Sequence, residues 1–215
     1  MVHLLREPAG DPEGALVLLH GRGVDERDLQ PLLEELDPER RLLGVTPGAP
    51  HSLPPGGRHW YGPVERVGYP NAESFHQTHV LLSSFVDELL ANRGIGWERT
   101  VLGGFSQGAV MSYALGLGAE RPSPAGILAM SGFMPIVEGW EPDLDSRAGL
   151  PAYICHGSLD PVISVEFGRQ ARDALEAAGL EVSYRESPIP HTIDPALLPE
   201  MRQWVAQIVD RPRRA

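Results

Sequence analysis

Ser106 lies where a predicted strand meets a predicted helix, an arrangement that suits a serine nucleophile. Residues 104–108 read Gly-Phe-Ser-Gln-Gly and fit the pattern G-x-S-x-G. The largely apolar residues 100–103 predict a strand, and residues 109–115 predict a helix. Because the two flanking glycines carry no Cβ, neighbouring backbone can pack closely around the turn. The spacing therefore predicts a nucleophile elbow that presents a hydroxyl for acyl transfer.

A serine nucleophile needs a general base, and the base needs an acid that orients it. His191 fits the base because it follows the last predicted strand, residues 182–186, and a short loop. Asp160 fits the acid because it comes soon after the predicted strand at residues 152–156. The chain order of the three residues is the order this kind of triad adopts. The alternatives are a turn cap for Asp160, since Asp-Pro favours turns, and an ordinary surface loop for His191.

Other carboxylates and histidines are weaker candidates for the acid and the base. No apolar strand directly precedes Glu138, Asp143 or Asp145. His156 ends a predicted strand and precedes the acid in the chain, so we interpret it as structural. Five further histidines precede the serine and are poorly placed to act on it: His3, His51, His59, His76 and His79.

The oxyanion of a tetrahedral intermediate needs two N–H donors that are already in place. One is expected from Gln107, the residue after the nucleophile. The other is expected from the loop after an early strand, and residues 18–23 read Leu-Leu-His-Gly-Arg-Gly. We assign this second donor to the backbone N–H of Arg22. The Arg22 guanidinium either contacts an anionic group of the substrate or is solvated, and the sequence leaves both interpretations open.

Two loops rich in proline and glycine, residues 47–70 and 133–151, are expected near the carboxyl ends of strands. Open α/β sheets bind their ligands at that edge, and long ordered loops are often functional. Five large side chains in these loops are candidates for the substrate pocket, with ordinary loop packing as the alternative: Trp60, Tyr61, Phe133, Met134 and Trp140.

The composition argues against several other chemistries. All 18 basic residues are arginine, which excludes a Schiff-base lysine, a Ser-Lys dyad and a P-loop lysine. The histidines lack metal-ligand spacing and no dinucleotide fingerprint is present, so we expect neither a metal nor a cofactor. Cys155 is the single cysteine, and its apolar surroundings favour core packing over a reactive thiol. A formal net charge of −11 disfavours nucleic acid and anionic membranes as partners.

The whole chain, residues 1–215, fits one α/β domain. Its hydrophobic fraction is 42% and its charged fraction is 22%, as in ordinary globular proteins. Strand-like and helix-like stretches alternate, which predicts a mostly parallel sheet with helices on both faces. The predicted strands are residues 2–5, 15–19, 42–46, 100–105, 126–131, 152–156 and 182–186. The predicted helices, besides the one after the serine, are residues 28–36, 72–92, 165–178 and 197–209.

The chain also has no pattern that directs it to a membrane. The first residues lack the apolar core and the cleavage site of a signal peptide. No apolar stretch approaches the length that spans a bilayer. We therefore expect a cytoplasmic protein without stable membrane insertion.

Five motifs together resemble the phospholipase/carboxylesterase family of α/β-hydrolases, which includes acyl-protein thioesterases and compact bacterial carboxylesterases. The motifs occur in family order along nearly the whole chain, at residues 19–25, 104–108, 131–135, 156–162 and 191–193. The resemblance implies the α/β-hydrolase fold in a compact form without a large lid domain. It also implies hydrolysis of carboxylic esters or thioesters, no cofactor and often a homodimer. The catalytic and oxyanion residues that it implies are the ones reached above: Ser106, Asp160, His191, Arg22 and Gln107.

Three functional hypotheses follow. The first is a carboxylesterase that cleaves small to medium acyl esters through an acyl-enzyme on Ser106. The second is a thioesterase that acts on acyl-proteins or acyl-CoA. The third is a catalytically idle α/β-hydrolase that serves as a ligand-binding module, which the complete candidate triad argues against. An enzyme similar to dienelactone hydrolase is disfavoured, because that group has cysteine at the elbow.

Overall fold

The computed structural model describes residues 1–62, 66–119 and 121–211. The strands in these ranges are β1 (His3–Arg6), β2 (Gly14–Leu19), β3 (Leu42–Pro47), β4 (His51–Ser52), β5 (Arg58–His59), β6 (Thr100–Phe105), β7 (Gly126–Met130), β8 (Pro151–Gly157) and β9 (Glu181–Ser187). The α-helices are α1 (Gln30–Leu36), α2 (Ala72–Asn92), α3 (Gln107–Leu117), α4 (Val165–Ala177) and α5 (Leu198–Val209). Short 3₁₀ helices lie at Trp97–Arg99, Asp145–Arg147 and Pro195–Leu197.

The central sheet has seven strands in the order β1-β3-β2-β6-β7-β8-β9. β1 pairs with β3 in the antiparallel direction, and every other pair in this sheet is parallel. The predicted mostly parallel sheet is therefore confirmed, with β6 in the middle. A separate two-stranded hairpin joins β4 to β5, and no alternating pattern in the sequence had indicated it.

Helices cover both faces of the sheet, as predicted, and the side chains of β2 show how the faces divide. Val17 points into a core cluster formed with α2 and α3. Its neighbours Leu16 and Leu18 point into the opposite cluster, which contains residues of α1 and α5. Because successive side chains of a strand alternate between faces, a run of apolar residues is what a doubly covered strand requires. Cys155 is part of this core, and burial raises the pKa of its thiol to about 12.

The observed element bounds match the strongest sequence patterns. The α2 helix and the β6 strand have the predicted bounds, and most other elements differ by one or two residues. β7 stops at Met130, because Ser131 turns the chain with a positive φ of 50°. α1 starts later than predicted, because turn hydrogen bonds from Asp28 N–H to Asp25 and from Gln30 N–H to Arg27 precede it.

Parallel pairing brings the carboxyl ends of β2, β6, β7, β8 and β9 to one edge of the sheet. The segments that follow these strands contain every predicted catalytic and oxyanion residue. No helix within the described ranges combines the length and the apolar character needed to cross a membrane.

Candidate active site

The turn between β6 and α3 holds Ser106 in an unusual backbone conformation, with φ at 55° and ψ at −120°. A side chain in this region is strained, and such strain persists only where the surroundings enforce it. Two hydrogen bonds do so here: the Ser106 N–H donates to the Met130 carbonyl at 2.9 Å, and Val110 N–H donates to the Ser106 carbonyl at 3.2 Å. The serine is thereby anchored both to the neighbouring strand and to the helix that follows it.

The two glycines that flank the serine allow the helix to approach the sheet at this turn. A Cβ on Gly108 would lie 1.8 Å from the Leu19 carbonyl oxygen at the end of β2. A Cβ on Gly104 would lie 2.3 Å from the Gly108 carbonyl carbon. Both distances are far below van der Waals contact, so any larger residue would push α3 away from the sheet. The G-x-S-x-G spacing is thus a packing requirement of the elbow.

The three residues predicted as a triad lie in one hydrogen-bonded chain. His191 Nδ1 is 2.6 Å from Asp160 Oδ2, and His191 Nε2 is 2.9 Å from Ser106 Oγ. The carboxylate can only accept, so Nδ1–H donates to it and Nε2 is left to accept the serine proton. The Asp160 side chain is fully buried and the His191 side chain is 16% exposed. This is the geometry in which an imidazole can act as a general base towards a serine.

A turn after β8 fixes the carboxylate of the triad. Asp160 Oδ1 accepts hydrogen bonds from the N–H groups of Val162 at 2.8 Å and Ile163 at 2.9 Å. The loop that carries the histidine is bonded to the same turn, because Leu159 N–H donates to the Ile189 carbonyl at 3.1 Å. The Asp-Pro turn considered as an alternative is therefore present, and its carboxylate also faces His191.

His156 lies behind the triad carboxylate. Its Nε2 is 2.9 Å from the Ile163 carbonyl, to which Nε2–H donates, and 3.5 Å from Asp160 Oδ2. Its side chain is fully buried, and desolvation lowers its pKa, so the ring is held in its neutral form. This placement fits the structural role that its position in the sequence indicated.

The loop after β2 packs directly against the nucleophile turn. A Cβ on Gly21 would lie 3.2 Å from Phe105 Cδ1 and 3.6 Å from the Ser106 Cβ. Within the described part of the chain, the next N–H group along this loop, that of Arg22, has no acceptor. Gln107 is the first residue of α3, and the N–H groups of a first helical turn have no acceptor within the helix. Two unpaired N–H groups therefore flank the serine from different elements.

The Arg22 side chain is exposed. It forms no hydrogen bond or ion pair with the residues that the structure describes.

The large side chains predicted for the substrate pocket are mostly buried in the core. Trp60 is 0% exposed and Tyr61 is 1% exposed, and the Tyr61 ring packs near that of Phe75. Phe133 packs against Phe167, while Trp140 packs edge-on against Phe75. Met134 is only partly buried. These contacts are those of loop packing, the alternative that the sequence had left open.

Two cavities lie away from Ser106. One, of about 510 Å³, is at the amino ends of the central strands and is lined by residues such as Arg99, Ala125 and Pro151. Another, of about 240 Å³, lies beside the N-terminus and Gly48. None of the predicted site residues lines either cavity, and Ser106 itself is buried, at 8% exposed. No group of His, Cys, Asp and Glu side chains that could hold a metal ion occurs among the described residues.

The sequence did not reveal which contacts hold the loop after β2 that carries Arg22. His20 is 1% exposed, its Nδ1–H donates to the Gly21 carbonyl at 2.6 Å, and its Nε2 accepts from Ala49 N–H at 3.0 Å. Burial lowers the pKa of His20, which keeps Nε2 free to accept. The Gln107 side chain also bonds to the backbone of residues 60 and 61. These contacts join separate loops, so no periodicity in the sequence could have indicated them.

Comparison with known proteins agrees with this geometry. Residues 3–209 match the family described as phospholipase/carboxylesterase. Acyl-protein thioesterase 1 of Debaryomyces hansenii is 29% identical over 150 residues, covering 67% of this chain but only 62% of that protein. Acyl-protein thioesterase 1 of Candida albicans is 27% identical over 98% of this chain and 99% of that protein. The crystal structure of esterase PE8 superposes with a TM-score of 0.79 and 28% identity, covering 95% of this chain and 97% of that one.

Proposed function

Because the chain belongs to the phospholipase/carboxylesterase family, we propose that it cleaves carboxylic esters of small to medium acyl chains through an acyl-enzyme on Ser106. The observation that carries this proposal is the continuous chain of hydrogen bonds from Ser106 Oγ through His191 to Asp160. The first bond activates the nucleophile, and the second fixes the tautomer of the base. A binding module without catalysis would have no need of this alignment.

The reaction follows from the atoms in place. His191 Nε2 takes the proton of Ser106 as Oγ attacks the ester carbonyl carbon, and Asp160 stabilises the imidazolium that forms. The N–H groups of Arg22 and Gln107 donate to the oxyanion, and each is expected to lower the barrier by about 3 kcal/mol. His191 then protonates the leaving alcohol. Water, deprotonated by the same imidazole, releases the acid and restores the serine.

The surroundings of the serine favour apolar acyl groups of limited length. Leu159 and Val162 flank the triad carboxylate in sequence and are 65% and 56% exposed. Exposed apolar side chains of this size can contact an acyl chain at the surface. Neither of the two cavities described above reaches the serine, and we expect little added affinity from a long chain.

A thioesterase is the second candidate, and it uses the same machinery. The two yeast relatives bear the name acyl-protein thioesterase, and one of them aligns over almost its whole length. A thiolate is a better leaving group than an alkoxide, so a thioester would place less demand on proton donation by His191. Matched oxygen esters and thioesters with one acyl group, acyl-CoA and an acylated peptide distinguish the two activities by their kcat/KM.

The direct test is hydrolysis of p-nitrophenyl esters from acetyl to palmitoyl, with Ser106→Ala as the matched variant. We expect the highest kcat/KM with short to medium chains and no turnover above background in the variant. A maximum at long chains would favour lipid or thioester substrates. Absence of turnover with every ester and thioester would overturn the enzymatic proposal and favour a binding module.

Partners and location are further proposals. We expect a small-molecule ester as substrate, no nucleic acid partner, a homodimer and a cytoplasmic protein. Light scattering on the purified chain measures the oligomeric state, and a monomer at all concentrations would contradict the expected dimer.

A further inference from the structure

Trp60 is buried between the two segments that carry the unpaired N–H groups, and its polar groups bond to both. Its indole Nε1–H donates to the His20 carbonyl at 2.7 Å. Its backbone N–H donates to the side-chain oxygen of Gln107 at 3.0 Å. Its backbone carbonyl accepts from the Thr78 hydroxyl. Since Trp60 is 0% exposed, its ring faces protein on all sides and has no surface left for a substrate.

The contacts of Trp60 with His20 and with Gln107 each lie next to an oxyanion donor. The His20 carbonyl begins the loop whose second following residue, Arg22, supplies one N–H group. Gln107 supplies the other N–H group from its own backbone, while its side chain bonds to the 60–61 backbone. The bond is reciprocal, because Gln107 Nε2–H donates to the Tyr61 carbonyl at 3.2 Å. Trp60 therefore connects the loop that carries the Arg22 N–H with the residue that carries the Gln107 N–H.

The connection is anchored to a long helix. The Thr78 hydroxyl belongs to α2, and the Ser74 hydroxyl of the same helix accepts from Gly62 N–H at 2.8 Å. A helix of 21 residues, packed on the sheet through Phe75, Leu82 and Val86, is a rigid reference for a loop. The segment around Trp60 is thus fixed at both of its ends.

We propose that Trp60 is a positioning residue that sets the separation of the two oxyanion N–H donors, an inference that rests on the function proposed above. Both donors are backbone groups, so their positions depend on how the segments that carry them are held. Donors stabilise an oxyanion only within about 2.7–3.1 Å of the oxygen, so a small displacement of either segment weakens the hole. The Trp60 indole holds one segment and its backbone holds the other, at a fixed distance within one residue.

The test compares Trp60→Phe with Trp97→Phe. Both changes delete an indole N–H bond and keep an aromatic ring. The Trp97 bond, to Asp87 Oδ1 at 2.8 Å, lies near the amino end of β6, away from the serine. For each variant we would measure the melting temperature, kcat and KM on a p-nitrophenyl ester, and the inhibition constant of an alkyl trifluoromethyl ketone. This ketone adds to the serine and places an oxyanion in the hole.

We expect Trp60→Phe to lower kcat by about tenfold to a hundredfold with little change in KM, below the loss from deleting a donor outright. The inhibition constant of the ketone should rise by the same factor as kcat/KM falls. Trp97→Phe should lower the melting temperature and leave kcat and the inhibition constant of the ketone unchanged. A merely structural role of Trp60 would lower the melting temperature and leave both quantities within about twofold, which would overturn the proposal.

Gln107→Met gives a second test in case Trp60→Phe does not fold. It removes the two side-chain bonds to residues 60 and 61 but keeps the backbone N–H and the side-chain length. We expect the same pattern, a fall in kcat matched by weaker ketone binding. A folded Gln107→Met protein with unchanged values of both would overturn the proposal. An unaltered protein without esterase activity, or a fully active Ser106→Ala variant, would instead refute the proposed function itself.

Discussion

The two ends of the central sheet differ in what they leave unpaired. At the carboxyl end, Ser106 is held at a positive φ and two N–H groups beside it have no acceptor among the described residues. At the amino end lies a cavity of about 510 Å³, and both arginines that line it form hydrogen bonds within the protein. Arg211 bonds to Glu181 at 2.6 Å, and Arg99 bonds to the Gly94 carbonyl at 2.7 Å. The unpaired N–H groups lie at the end of the sheet where we propose the chemistry, and the 510 Å³ cavity lies at the other end.

Two serines on neighbouring strands offer a second comparison. Ser106 follows β6 with φ at 55°, and Ser131 follows β7 with φ at 50°. Only the first directly precedes a helix and contacts an imidazole, whereas the Ser131 hydroxyl bonds to none of the described residues. Backbone strain is therefore not sufficient for a nucleophile, and the partner of the hydroxyl decides.

The largest effect on kcat should appear when each of these two serines is replaced by alanine in turn. Ser106→Ala should lower kcat by about 10⁶-fold, because the nucleophile itself is removed. Ser131→Ala should leave kcat within about twofold, because its hydroxyl activates nothing. Ester hydrolysis with burst analysis measures both. An equal loss in the two variants would erase the distinction between the serines.

The next effect concerns the acid of the triad. Asp160→Asn should lower kcat by about 10⁴-fold, because an amide no longer stabilises the imidazolium or the required tautomer of His191. The Val162 and Ile163 amides can still donate to the side-chain oxygen, so the turn should persist. Steady-state kinetics would measure the fall in kcat, and a circular dichroism spectrum would check that the variant is folded. A loss of less than about tenfold would mean that a group other than Asp160 orients His191 and stabilises its imidazolium.

Acid should loosen the carboxyl end of the sheet before the amino end. Burial lowers the pKa of His20 and of His156, which both lie there. As the pH falls below the ordinary value of 6.5, these histidines take up protons in the unfolded state before the folded one. The free energy of unfolding then falls by up to about 1.4 kcal/mol per pH unit for each histidine.

Urea unfolding at about pH 7.5 and about pH 5.5 measures this loss, and hydrogen exchange at both values locates it. We expect residues 20–23 and 156–163 to lose protection first. Equal stability at the two pH values would show that these histidines are not buried in the neutral form.

The smallest effect should come from the amino end. Arg99→Gln removes a cation from the wall of the large cavity and one bond to the Gly94 carbonyl. We expect kcat/KM for every ester to stay within about twofold. The same p-nitrophenyl assay applies, and a fall of more than about tenfold would place function at the cavity after all.

Much of the framework could be predicted from the sequence because its signals are local. The helix Ala72–Asn92 repeats apolar residues at helical spacing, and the strand Thr100–Phe105 is apolar and ends at the elbow. Ser106, Asp160 and His191 could be placed from the strands that precede them. Each of these predictions depends on a pattern within one short segment.

The remaining features depend on contacts between distant segments. Trp60 is a candidate for either a pocket wall or ordinary loop packing, and it lies in the core because its polar groups bond to α2, α3 and the loop after β2. The hairpin of β4 and β5 pairs only two residues in each strand, too few to produce an alternating pattern. Such features become visible only after the sheet has brought its loops together.

The most direct test of the account is to find where the acyl group is attached during turnover. The protein would be mixed with p-nitrophenyl acetate, quenched in acid within the first turnover, digested and analysed by mass spectrometry. The account predicts one acetyl group on the peptide that contains Ser106, and its absence when His191 is replaced by alanine. Acetyl on the Ser131 peptide, or hydrolysis without any acylated serine, would contradict it.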